Sequence, residues 1–457
     1  MYGRNTVDNV QIRTLAHDIN LQRLQSLFPE RYPFLLQSTA PGLSLGRFDI
    51  LFACPGDTLE LAYDGNLIGN HASGADGFLA ALDNWWRAEY RADCGTELPF
   101  TGGWFLYLGY ELAAEIEPTL RLHEDTLLPR AFAVRCPAAI IYDHTDGQAV
   151  FVEEEGAHTD FGQVLADIEN AAHASHDVPA GRQSMSTNED PPQGFLQAVS
   201  SAKDYIAAGD IYQANLSRRW TATMDDDIEI DQVYRALCST NPAPFAGIAR
   251  WRDTAIVSSS PERLLQVRDG IASTRPIAGT RPRSDDHDLD DSLSEELFAH
   301  PKERAEHIML IDLERNDLGR ICEPGSVEVD EMMVLESYAH VHHIVSNVRG
   351  RLRTDVAPGE VIRAVFPGGT ITGCPKVRCM QIINELEGVA RGAYTGSFGY
   401  LNHDGSLDLN ILIRTMVIKG STVTLRAGSG IVADSEPEAE FAEARAKAEG
   451  MLRALRS

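Results

Sequence analysis

The stretch Arg275-Pro276-Ile277-Ala278-Gly279-Thr280 constrains the fold of this chain more than any other. A strand-like run, Thr254 to Val257, leads into Ser260-Pro261-Glu262-Arg263, and a second run, Leu264 to Val267, follows. Asp269-Gly270 between apolar runs predicts a hairpin turn, after which the chain reaches the Pro-Ile-Ala-Gly-Thr turn. Gly279 lets backbone come close to a ligand, because no Cβ stands in the way. One loop therefore offers a carboxylic acid, Glu262, and another offers backbone N–H groups with the hydroxyl of Thr280. That pairing suits an acid that protonates a leaving group beside a cradle for an anion.

An anion poses a problem for a chain of 457 residues with a formal net charge of −27. The charge argues against nucleic acid or an anionic membrane as a partner. A site for an anionic substrate must then supply its own positive charge, from arginine, a helix N-terminus or a metal ion. Hydrophobic residues at 43% and charged residues at 23% give the balance of an ordinary globular protein. The cysteines are scattered, odd in number and without Cys-x-x-Cys spacing, which speaks against a zinc site or a disulfide framework and fits a reducing cytoplasm. Met1 to Asp18 lacks the apolar core of a signal peptide, and no apolar run reaches membrane-spanning length.

Along the chain, residues 1–172 read as a mixed α/β region, 173–193 as a linker or long surface loop, and 194–457 as the region that carries the chemistry. Phe78 to Tyr90 has helical spacing. Phe195, Val199, Ala202 and Ile206 share a helical face that Gly209 closes, and Ile211 to Leu216 follows as a strand. Pro301 to Asn316 predicts a helix with Glu303, Glu306 and Leu310 on one stripe. Its apolar stretch Ile308-Met309-Leu310-Ile311 implies that the helix is at least half buried, and carboxylates buried without a cation are costly, so a metal is implied. Far downstream, Ser435-Glu436-Pro437-Glu438 has the signature of a capping box, and the helix after it places Glu440, Glu443 and Lys447 on one stripe. Carboxylates alone, from two helices, suit Mg²⁺ rather than zinc. Ile411 to Arg414 and Thr422 to Leu425 read as paired strands around a Lys419-Gly420 turn. Pro367 to Gly373 is a glycine-rich turn into a helix, without the spacing of a phosphate-binding loop.

These motifs resemble component I of the enzymes that aminate chorismate, aminodeoxychorismate synthase and anthranilate synthase. Ser-Pro-Glu-Arg at 260–263, Arg-Pro-Ile-Ala-Gly-Thr at 275–280, Lys-Glu-Arg-Ala-Glu-His at 302–307, Ile-Asp-Leu-Glu-Arg-Asn-Asp at 311–317, Thr-Gly-Cys-Pro-Lys at 372–376 and Gly-Ser-Gly-Ile-Val at 428–432 carry the likeness. The resemblance implies an α+β fold of two antiparallel sheets packed as a sandwich with helices outside. It implies Glu262 and His343 as catalytic groups, and Glu306 and Glu443 as Mg²⁺ ligands supported by Glu303 and Glu440. Gly279, Thr280, Tyr394, Arg414, the Gly428-Ser429-Gly430 backbone and Lys447 would hold substrate. It also implies a tryptophan pocket, regulatory or structural, around Ser38, Arg47, Phe48, Pro244 and Phe245.

Two departures within the family set the chemistry to expect. Isochorismate synthases resemble this chain but carry at Gln213 a lysine that activates water. Glutamine cannot serve as that base, so ammonia is the expected nucleophile. The chain has no glutaminase elbow of its own, so a separate glutamine amidotransferase subunit is the implied partner. Aminodeoxychorismate synthases usually carry at Ala278 a lysine that attacks chorismate, whereas anthranilate synthases carry alanine there. Asn215, Val341-His342-His343 and Pro367-Gly368-Gly369 follow the aminodeoxychorismate pattern. The resemblance thus implies 4-amino-4-deoxychorismate as product, for 4-aminobenzoate and folate synthesis. The route would be non-covalent, through 2-amino-2-deoxyisochorismate, with anthranilate as the alternative product.

Overall fold

Apolar residues at alternate positions along many short segments build two large antiparallel sheets. The structure is a computed structural model that describes residues 4–7, 9–15, 19–39, 46–92, 95–174, 185–283, 286–299, 301–337 and 341–456, without the side chains of 4–7, 280, 282, 289, 299, 301–303 and 341. Among the described residues one sheet has thirteen strands and the other eleven. The larger sheet joins early strands to late ones where Phe34–Gln37 pairs with Phe245–Trp251. The smaller sheet does the same where Gly103–Leu108 pairs with Ser397–Asn402. Each sheet therefore draws strands from both sides of the 173–193 segment.

The sheets face one another across an aromatic layer. Phe34 of the larger sheet stacks on Phe105 of the smaller at 4.0 Å, and Trp251 stacks on Phe132 at 4.1 Å. Such pairs add about 0.5–1.5 kcal/mol beyond the area they bury. The outer face of the larger sheet is covered by helices that include Phe161–His173, Ile230–Thr240 and Pro437–Arg456, through Val164, Tyr234, Leu237 and Met451. Phe78–Glu89, Pro301–Gly319 and Pro358–Val365 cover the smaller sheet through Trp85, Ile311 and Ile362. This is the expected sandwich with helices outside.

Local expectations differ from the structure in three places. Met185–Glu189, inside the segment read as linker or loop, is an edge strand paired with Trp220–Met224. Its polar residues satisfy their backbone by pairing on one side only, which an apolar pattern does not announce. Residues 411–414 are not a strand; the strand is Thr415–Lys419, paired with Thr422–Ile431. Arg414 stands just before it at φ 51°, a left-handed conformation that breaks the extended run. Ser435 does not close a capping box. Its Oγ accepts from the Val432 N–H at 3.1 Å, and the helix begins at Pro437.

Candidate active site

Glu262 sits where the chain leaves one sheet for the other. Thr254–Ser260 belongs to the larger sheet and Arg263–Arg268 to the smaller, so Pro261 and Glu262 form the crossing. The flanking residues fix it. The Ser260 hydroxyl donates to the Ile411 carbonyl, and Arg263 makes a two-pronged pair with Asp408 at 2.9 and 2.8 Å. The Glu262 carboxyl is thereby held in the wall of a cavity of about 830 Å³, with only 6% of the residue exposed. Burial pushes this carboxyl up to about 7, against the Thr370 hydroxyl, the Ile277 N–H and Lys447, which favour its ionised form. A carboxylic acid that keeps its proton near neutral pH can give it to a leaving group.

Ile277–Pro282 and Val341–Arg351 pair beside it. The register slips between Ala278 and Thr280, and Gly279 at the slip has φ 65°, a bulge that suits glycine. Strand alternation separates the two histidines. His342 turns away to Asp290 at 3.0 Å and Ser337 at 2.8 Å, while His343 lines the cavity with Ala278 and Gly279. Burial, aided by the charge of Arg414, pushes His343 down to about 4, so its imidazole is neutral at pH 7. The Thr280 side chain lies outside the described residues.

Tyr394, Arg414, Gly428 and Gly430 line the same cavity. Ser429 does not: it is buried and paired with Leu216. Tyr394 is braced from behind by residues that the sequence did not single out. Arg391 and Arg426 lie 5.5 and 6.0 Å from its ring, and both pair with buried Glu387 at 2.7 and 2.9 Å. Burial works to raise the Glu387 carboxyl, but the two guanidinium groups outweigh it and hold it below the usual range. The i, i+4 spacing of Glu387 and Arg391 was a local signal; nothing local tied Arg426 to them. The side-chain amide of Gln213 reaches over Gly430, where a Cβ would stand 2.3 Å from it. The Oε1 of Gln213 and the Oδ1 of Asn215 are buried without a hydrogen-bond partner among the described residues, and both residues line the cavity.

Glu306, Glu440 and Glu443 also line this cavity, from Pro301–Gly319 and Pro437–Arg456. Glu306 is half-buried, and Glu443 is exposed and paired with Lys447 at 2.7 Å. Lys447 also donates to the Gly428 carbonyl at 3.1 Å, which ties the helix to the strand Thr422–Ile431. The Glu303 side chain lies outside the described residues. Among the described residues no group of three His, Cys, Asp or Glu side chains converges closely enough to hold an ion alone. An oxygen-only set spread over two helices fits Mg²⁺, which takes one or two carboxylates and completes its shell with water and substrate oxygens.

The glycine-rich turn at 366–373 packs its backbone closely against its neighbours. A Cβ on Gly369 would meet Leu313 at 2.3 Å, and one on Gly373 would meet the Gln213 carbonyl at 2.1 Å. A second cavity, of about 270 Å³, is lined by Arg47, Phe48, Pro244 and Phe245, which the sequence grouped. Ser38 stands beside it, its N–H donating to Asp49 at 3.0 Å, and is not part of the wall. Among the described residues no helix is long and apolar enough to cross a membrane.

Comparison with known proteins gives the same picture. A profile of the chorismate-binding enzymes matches residues 61–453. The chain is 46% identical over 362 residues to a Synechocystis protein described as anthranilate synthase component I-like, covering 78% of this chain and 73% of that one. It is 40% identical over 390 residues to Bacillus subtilis aminodeoxychorismate synthase component 1, covering 82% of each. The crystal structure of anthranilate synthase component I from Streptococcus pneumoniae superposes with a TM-score of 0.78 at 32% identity, covering 90% of this chain and 93% of that one. With the profile spanning most of the chain and the fold shared, this protein belongs to the family of chorismate-binding enzymes.

Proposed function

We propose that the protein is an aminodeoxychorismate synthase component I, converting chorismate and ammonia to 4-amino-4-deoxychorismate. The observation that carries this reading is the placement of Glu262. It is a buried carboxyl that keeps its proton near pH 7, in one cavity with Arg414, Tyr394 and the carboxylates of two helices. Arg414 and the Gly428 and Gly430 backbone suit a substrate carboxylate. Mg²⁺, bound by Glu306 and Glu443 with Glu303 and Glu440 in support, would supply the positive charge that lets a dianion enter an acidic site.

Ala278 offers no amine, so the ring is not held covalently. Ammonia adds at C2 as the C4 hydroxyl leaves. Glu262 gives its proton to that oxygen, water departs, and the added nitrogen sheds a proton that returns the carboxylate to the acid. A second ammonia then adds at C4 while the C2 amine leaves as ammonia, protonated again by Glu262. Neutral His343, beside Gly279 in the same cavity, offers a hydrogen bond without adding charge. Gln213, which cannot activate water, leaves ammonia as the nucleophile, and a separate glutamine amidotransferase subunit is its proposed source.

Ala278 and the relatives described as anthranilate synthases favour a second reading, in which the C2-amino intermediate loses pyruvate to give anthranilate. The products separate the two. Protein, chorismate, Mg²⁺ and ammonium are incubated with and without the lyase that makes 4-aminobenzoate. Formation of 4-aminobenzoate only with the lyase supports the proposal; release of anthranilate as the main product without it supports the second reading.

A further inference from the structure

The motif Ile311 to Asp317 contains a buried acid that the reaction scheme leaves unused. Glu314 is 4% exposed, and its Oε2 has no hydrogen-bond partner among the described residues. It lies behind the wall that holds Glu262, and the same two backbone segments touch both carboxyls. One is 274–277: Thr274 is the polar side chain beside Glu314, and the Ile277 N–H faces Glu262. The other is 369–370: a Cβ on Gly369 would stand 3.4 Å from Glu314 Oε1, and the Thr370 hydroxyl faces Glu262.

The charged groups facing Glu314 are few. Asp317 comes from its own helix, Lys376 from the start of Lys376–Glu387, and Glu262 from the crossing between the sheets. Lys376 is committed to Asp317 at 2.6 Å and to the Val365 carbonyl at 2.8 Å, so its charge is spent there. Burial and the neighbouring Asp317 push Glu314 up to about 8. An ionised Glu314 would lie behind a wall that holds a second carboxylate, and like charges in so dry a place do not both persist beside an entering anion.

We infer that Glu314 is a positioning residue for Glu262: the two buried carboxyls act as a pair, and in alkaline solution, where both are ionised, the pair takes up two protons when the anionic substrate enters the cavity. The inference rests on the proposed reading that the substrate is chorismate. Glu314 does not touch substrate. It keeps a second negative charge out of the wall, so that Glu262 remains an acid.

Calorimetric titration of chorismate in the presence of Mg²⁺, repeated at pH 9 in buffers of different ionisation enthalpy, gives the number of protons taken up on binding. Wild type is expected to take up about one proton more than Glu314→Gln, which fills the same space without titrating. A merely structural residue would change affinity and leave the proton count alone. Equal uptake in the two proteins overturns the inference. Should Glu314→Gln fail to fold, Glu262→Gln carries the test: it is expected to retain uptake of about one proton, and its complete loss overturns the pair. Absence of chorismate binding by the wild type at any pH counts instead against the proposed function.

Discussion

Glu262 is where charge, burial and position meet in a single residue, and its environment makes two demands that pull against each other. The fold holds it in a dry wall, which raises its proton affinity and suits it to catalysis. The same burial destabilises the native state once the proton is lost. Because its folded value lies above its unfolded one, the stabilisation linked to its proton is complete below the ordinary carboxylate range and disappears as pH rises through about 7. Glu262→Gln is therefore expected to bind chorismate normally yet lose about 10²–10⁴-fold in kcat. Its thermal unfolding at pH 8 should occur above that of wild type, by on the order of 2 kcal/mol in stability. Near-normal turnover would remove Glu262 from the chemistry, and an unchanged or lower Tm would contradict its buried, raised state. At Ala278 the expectation is simpler: mass spectrometry of protein quenched during turnover should show no covalent adduct, since this side chain has no nucleophile.

At the scale of elements, the residues that carry motifs were legible because their chemistry is local. Glu306 and Glu443 each sit on a helix whose polar stripe can be counted. His343 and His342 differ by one position, and strand alternation alone sends one to the cavity and the other to Asp290. What the sequence hid was support from a distance. Glu387 at the end of a helix and Arg391 just past it brace Tyr394 together with Arg426, which comes from a later strand. The bend at Arg414 was hidden for a related reason: an apolar run reads as strand, and only the tertiary path turns it into a connection at positive φ. Removing one member of the buried charge cluster, as in Glu387→Gln, leaves two guanidinium groups without their counter-ion. Urea unfolding is expected to show a loss of about 3–5 kcal/mol, whereas a change below 1 kcal/mol would mean that the cluster contributes little.

At the scale of the whole molecule, each sheet is assembled from both ends of the chain. No local pattern predicts that Phe34–Gln37 will lie beside Phe245–Trp251, or Gly103–Leu108 beside Ser397–Asn402. The sandwich itself was legible only through resemblance, since strand order depends on pairings that periodicity does not encode. The consequence is mechanical. Residues 1–172 and 194–457 expressed separately should each lack a compact core, because the pairings Phe34–Gln37 with Phe245–Trp251 and Gly103–Leu108 with Ser397–Asn402, and the stack of Phe132 on Trp251, need strands from both pieces. Two independent, cooperative melting transitions from the separate pieces would contradict this.

In the proposed function an acidic protein admits a cyclic dianion because a divalent cation would join the carboxylates of two helices to a substrate held by Arg414. Glu306, Glu443 and Arg414 line one cavity, the arrangement this requires. The most direct measurement is the binding of chorismate by titration calorimetry with and without Mg²⁺, in wild type and in Glu306→Gln. Binding by the wild type is expected to depend on Mg²⁺ and to weaken at least about tenfold in the variant. Equal binding with the metal chelated, or a variant indistinguishable from wild type, would contradict it.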